Sequence, residues 1–159
     1  MADYIYPAPG VTGVEATLTL EIDADATNDA MVVPSLQDMT VNASNDVFTW
    51  TQLDETAKKN VATTSTNSIS MNLVLDQTTF FGDGTSAAGT ASLAGIFGMS
   101  NGKNLVEFSL YLGDESTGTT GKTISGKGYI TGLAPTVSAD STVWVSPITI
   151  TVDGEYTVA

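Results

Sequence analysis

Apolar and polar residues alternate strictly along residues 14–22. Val14, Ala16, Leu18, Leu20 and Ile22 fall on one side, and Glu15, Thr17, Thr19 and Glu21 on the other. A period of two suits a strand with one buried and one wet face; a helix would scatter these residues around its circumference. The alternation returns at Ile69, Met71, Leu73 and Leu75, at Val106, Phe108, Leu110 and Leu112, and at Ile148, Ile150 and Val152. Further strands are expected over 37–43, 47–53, 123–133 and 143–158. Ser44, Asn45 and Asp46 read as a turn, and 54–67 as a polar loop. Pro147 cannot donate to a ladder, so it marks an edge or a bulge. Helical spacing occurs at 87–99, where Ala91, Ala94, Ile96 and Phe97 follow a capping Ser86, and Gly98 or Gly102 ends the element. The pattern implies a mainly β fold, a β-barrel-like sandwich of two sheets with one flanking α-helix.

A chain of 159 residues with 42% hydrophobic content supplies one core without staples, so 1–159 reads as a single domain. Residues 1–13, with Pro7, Pro9, Gly10 and Gly13, read as an extended N-terminal arm. Cysteine is absent, which excludes disulfides and thiolate metal sites. Histidine is absent too, and with it the commonest general base and zinc ligand. The chain is therefore not expected to be an enzyme, nor to carry a cofactor or metal. Eighteen acids face five lysines and no arginine, a net charge of −13. Nucleic-acid affinity comes largely from neutralising phosphates, so a direct nucleic-acid binder is excluded. No stretch has the roughly 20 apolar residues of a membrane span. Residues 1–10 lack the basic flank and apolar run of an export signal, so a cytoplasmic origin is expected.

Several local patterns suggest chemistry and fail on spacing. Gly118-Thr119-Thr120-Gly121-Lys122-Thr123 resembles a phosphate-binding loop, but Ser116 stands where the first glycine belongs, and a strand follows instead of a helix. Asp23, Asp25 and Asp29 suggest a calcium loop, yet Asn28 and Pro34 occupy its glycine and glutamate positions, leaving at most a loose cation site. Asp54-Glu55 and Asp114-Glu115 are adjacent acids with no spacing that defines a glycosidase pair. Phe48, Trp50 and Trp144 read as core or interface residues.

The last third carries a resemblance. Leu105-Val106-Glu107-Phe108-Ser109-Leu110-Tyr111-Leu112 precedes a Gly/Thr-rich loop, then Gly126-Lys127-Gly128-Tyr129-Ile130-Thr131-Gly132-Leu133, then Val137-Ser138-Ala139-Asp140-Ser141-Thr142-Val143. This succession resembles the tail tube proteins, or major tail proteins, of long-tailed bacteriophages. Motif-level similarity spans about 68–159, and the order of elements extends it backward. The long loop 116–122 and Gly132 depart from the family pattern.

The resemblance implies a virion structural protein, assembled in the host cytoplasm into stacked hexameric rings of the tail. Its implied partners are other copies, a tape-measure protein, a tail terminator, a baseplate or tail tip, and for some tails a sheath. DNA would pass through the lumen without specific binding. An acidic wall repels phosphate, a repulsion felt within about 8 Å at physiological salt. Glu15, Glu21 and Glu107 are the candidate lumen-facing acids. The alternative is a capsid decoration protein or another β-rich surface or adhesive module.

Overall fold

The computed structural model describes residues 16–24, 29–34, 36–113 and 121–159. Among these, eight strands and one helix follow in the order β1 (Ala16–Ile22), β2 (Met31–Val32), β3 (Leu36–Trp50), β4 (Lys59–Val74), α1 (Ala91–Asn101), β5 (Val106–Leu112), β6 (Lys122–Leu133), β7 (Val145–Val152) and β8 (Thr157–Val158). All strand pairs are antiparallel. They form one continuous sheet in the order β2-β1-β5-β6-β7-β4-β3, with β8 added beside β6. The expected β-rich fold with one flanking helix is present, and its strands belong to one sheet that does not close.

The alternating residues do what their spacing requires. Leu18, Leu20 and Ile22 of β1, Ile69, Met71 and Leu73 of β4, Val106, Phe108 and Leu110 of β5, and Ile148, Ile150 and Val152 of β7 are all buried in one cluster. Strands far apart in the sheet order thus share a core, so the sheet must roll around it. Full burial of each large aliphatic or aromatic chain is worth roughly 1.5–3 kcal/mol. The opposite faces of the same strands carry Thr17, Thr19, Ser70, Ser109, Thr149 and Thr151.

The helix begins later than its composition suggests. Residues 87–90 form a turn, and Thr90, not Ser86, is the cap: its Oγ1 accepts from the Leu93 amide at 3.3 Å and donates to the Ala87 carbonyl at 2.8 Å. Gly95 interrupts the helix at φ 66°, a left-handed conformation that favours glycine. Ala91, Ile96 and Met99 bury against the core beside Phe80. No helix among the described residues is long and apolar enough to cross a membrane.

Two expectations are corrected. Residues 44–46 do not turn: β3 runs unbroken from Leu36 to Trp50, and the irregularity there is a register shift between Asn45 and Val47. Residues 59–67 are not loop but the first half of β4, so only 51–58 turns the chain. Pro147 lies opposite Asn72 of β4, beyond the last β6 pair at Leu133 and Ile148, where β7 has a single laddered neighbour. That is a local edge, as proline requires.

Candidate assembly surface

The long hairpin is the most unusual part of the molecule. β4 pairs β7 only from Ser68 to Val74, and among the described residues β3 has no partner besides β4. Beyond Asn67 the two strands continue alone, through the pairs from Ala43 and Asn67 out to Trp50 and Lys59. An isolated two-stranded ribbon is marginal in water, because it has no third strand or helix to pack on. Here it is held at its root. The Tyr156 hydroxyl lies 2.7 Å from the Asn42 carbonyl and 2.9 Å from that of Ser68, bridging both strands with one shared proton. Burial pushes this phenol above its ordinary value of 10.0, against the lowering effect of the bond to Ser68, so it remains a donor. The Asn67 amide adds a bond of 2.8 Å to the Gly154 carbonyl. The Tyr156 ring meets Phe108 edge-on at 6.2 Å, tying the root to the core.

The protruding half exposes apolar side chains on both faces. Phe48 and Trp50 stack with centroids 5.8 Å apart, and Phe48 pairs with Val61 across the strands. Phe48 is 60% exposed, Val47 lies exposed on the other face, and Leu53 in the turn is fully exposed at 111%. Lys59 shapes the turn through Glu55 at 2.9 Å and Gln52 at 2.8 Å. Natural edge strands are kept short, bulged or charged to prevent pairing with other chains. This hairpin instead offers long open edges, and residues 43–67 carry three acids against two lysines within a chain of −13. Its near-balance of charge lets a like-charged copy approach this segment with little repulsion.

The solvent face of the sheet is a second surface, hydroxyl-rich and acidic. Glu21 of β1 stands directly opposite Glu107 of β5, which stands opposite Lys127 of β6. Like charges placed across strands repel, and Lys127 offsets this: it lies 4.0 Å from Glu107 and pairs with Asp23. The Asp23 hydrogen bond and charge, with Glu107 behind them, raise the Lys127 ammonium above its ordinary value. Two of the three candidate acids, Glu21 and Glu107, are thus brought together on one solvent face, and Glu15 lies outside the described residues.

Among the described residues, the other sequence patterns bring together no metal-ligating cluster. Asp25 and Asn28 lie outside the described residues, Asp23 is engaged by Lys127, and no group of three or more metal-ligating side chains occurs among the described residues. Residues 118–120 and the Asp114-Glu115 pair also lie outside them, while Lys122 opens a strand. Asp54 and Glu55 sit in the hairpin turn. Trp144 is 48% exposed on the loop before β7, its Nε1 donating to the Ser138 carbonyl at 3.1 Å. The aromatics Phe48, Trp50 and Trp144 are therefore surface residues, as an interface role requires. Sequence reading missed the hairpin itself, although the exposed run Val47 to Trp50 facing Lys59 to Ala62 was its one available signal.

No family model matches the sequence, and no curated protein matches it. Solved structures do share its fold. The tail of an empty gene transfer agent particle, refined helically with C6 symmetry, aligns with a TM-score of 0.62 at 14% identity, over 89% of this chain and 95% of that one. The tube-terminating cap of the anti-feeding prophage aligns at 0.63 with 16% identity, over 100% and 95%. The SPP1 tail tube aligns at 0.63 with 11% identity, over 92% and 78%. The chain therefore shares its fold with tail tube and tube-terminating proteins. On that fold it carries the mainly β architecture, single helix and long hairpin described above.

Proposed function

We propose that this chain is the tube subunit of a phage-type tail. As a single tail-tube-like domain, it forms hexameric rings that stack around an aqueous lumen through which DNA passes during ejection. The observation that carries this reading is the hairpin: a ribbon with exposed apolar faces and open edges, anchored rigidly at its root, on a fold shared with tail tubes. Val47, Phe48 and Val61 are 50–60% exposed, so covering them with another chain would recover about half of the roughly 1.5–3 kcal/mol that full burial of each is worth. The C6 symmetry of the gene transfer agent tail supports six copies per ring. The hydroxyl-rich solvent face supports a wall that water wets and phosphate does not grip, with Glu15, Glu21 and Glu107 lining the bore. The tape-measure protein would occupy that bore before DNA, with a terminator and a baseplate or tail tip at the ends and, in a contractile tail, a sheath outside. Assembly belongs in the host cytoplasm and the mature location in the virion tail. The role is structural, with no reaction catalysed.

Negative-stain microscopy of the purified chain, concentrated or seeded with tail tips, tests this. Hollow tubes of indefinite length support the reading. Single rings that never stack would move it to a tube terminator. A monodisperse monomer that binds preformed capsids would replace it with a decoration protein.

A further inference from the structure

The two ends of β4 carry complementary surfaces. At one end is the hairpin turn with exposed Leu53 and the adjacent Trp50. At the other, Val74 pairs with Val145, and the Leu75 amide donates to the Trp144 carbonyl at 2.8 Å. There a groove of about 420 Å³ opens between β4 and the loop before β7, lined by Val74, Leu75, Ala139, Val143 and Trp144 among others. Val143 and Trp144 are both 48% exposed. The strand between the two ends has 16 residues, which spans roughly 50 Å at 3.3 Å per residue. One molecule cannot fill its own groove with its own turn.

Charge completes the match. The turn carries Lys58, whose ammonium has no partner among the described residues, while Lys59 beside it is held by Glu55. Asp140, between the groove residues Ala139 and Ser141, has a carboxylate that likewise has no partner among the described residues. Residues 51–60 hold two acids and two lysines, so the turn enters its neighbour without the repulsion that a chain of −13 otherwise imposes.

We infer that the hairpin turn of one copy docks in the Trp144 groove of the next, with Leu53 against Trp144 and Val143, and Lys58 against Asp140. The occupant is a second copy of this chain. Different patches meet at opposite ends of the molecule, so the contact is heterologous; where the rotation between copies does not close a ring, it repeats without limit, as a growing tube needs. The inference rests on the tube reading and names the surface that stacks one ring on the next.

Two measurements test it. Lys58→Glu and Asp140→Lys are exposed charge reversals, and each should raise the critical concentration for tube growth roughly tenfold, while the double reversal restores it. Because the chain has no cysteine, Leu53→Cys with Ala139→Cys offers a clean cross-link. Oxidation of assembled tubes should give a ladder of covalent multimers on a non-reducing gel. If the single reversals assemble like the unmodified chain, or the double variant is no better than the worse single, and no ladder forms, the docking pair is overturned while the tube reading stands. If the unmodified chain forms neither rings nor tubes under seeding, both fall.

Discussion

Gly95 is the one residue of α1 that no other amino acid can replace without displacing backbone. At φ 66° a Cβ would lie 2.3 Å from the Gly82 amide nitrogen and 2.7 Å from the Phe80 carbonyl oxygen. The helix uses this close approach to bond with the preceding turn, through Ile96 N–H to the Thr79 carbonyl at 3.1 Å and Phe97 N–H to the Phe80 carbonyl at 2.9 Å. Gly95→Ala combines left-handed strain with a backbone clash, and should cost about 3 kcal/mol in a denaturant titration. An unchanged midpoint would show that the turn is free to shift. The same turn is tied by Asp76, whose carboxylate accepts from the hydroxyls of Thr79 at 2.9 Å and Thr78 at 3.0 Å and from the Thr79 amide at 3.2 Å. These bonds, the Thr79 hydroxyl first, lower its pKa below 3.8. The folded state therefore holds the proton less tightly than the unfolded chain. The stabilisation is fully present well above pH 3.8 and disappears as pH falls through the lower folded value. Melting temperatures of the unmodified chain and Asp76→Asn should differ near neutrality and converge in acid. A gap that is constant with pH would remove Asp76 from the account.

At the scale of elements, the hairpin depends on its root more than on its own pairing. Tyr156→Phe keeps the ring against Phe108 and removes only the hydroxyl bridge to Asn42 and Ser68. Loss of one such bond costs about 1 kcal/mol. That should leave the melt nearly two-state while speeding amide exchange from 43–50 and 59–67 well ahead of the core strands; uniform exchange would mean the root is held elsewhere. The hairpin also shows where sequence reading stops. β5 was legible from Val106 to Leu112, and β1 and β7 nearly so, because one face of each meets the core and the other meets water. Residues 43–50 and 59–66 meet water on both faces, so nothing in the lone chain enforces a period of two, and Thr63, Thr64 and Ser65 pass for loop. Ser44-Asn45-Asp46 has the composition of a turn yet forms a register shift, since Thr64 and Thr63 across the ribbon bind the Asp46 carboxylate and carbonyl. The rolled core and one helix were readable, and two of the three acids were placed on a solvent face. The hairpin's two wet faces leave no alternation for the sequence to show.

For the whole molecule, the decisive property is how −13 is distributed. In the hairpin, Lys58 and Lys59 nearly balance Asp46, Asp54 and Glu55, while the solvent face of β1, β5 and β6 sets Glu21 and Glu107 against Lys127. If that face lines a bore, its charge is repeated around every ring and along every stack, and the field inside grows with assembly in a way no isolated subunit shows. Phosphate would then be repelled from a wall of hydroxyls and carboxylates, and DNA would slide without counter-ion release to hold it. Reversing the half-buried Glu21 and the exposed Glu107 to lysine changes two side chains on the wet face of the sheet, so the fold should shift by only about 1 kcal/mol. The tube's relation to DNA should change far more. Assembled Glu21→Lys/Glu107→Lys tubes should retain single- or double-stranded DNA in co-sedimentation at low salt and release it steeply as salt rises, whereas unmodified tubes retain none. The unassembled variant should bind much more weakly than the tube, because only stacking turns isolated charges into a continuous wall. Equal retention by variant and unmodified tubes, or equal binding by the variant before and after assembly, would place this acidic face on the outside of the tube and assign the bore to another surface.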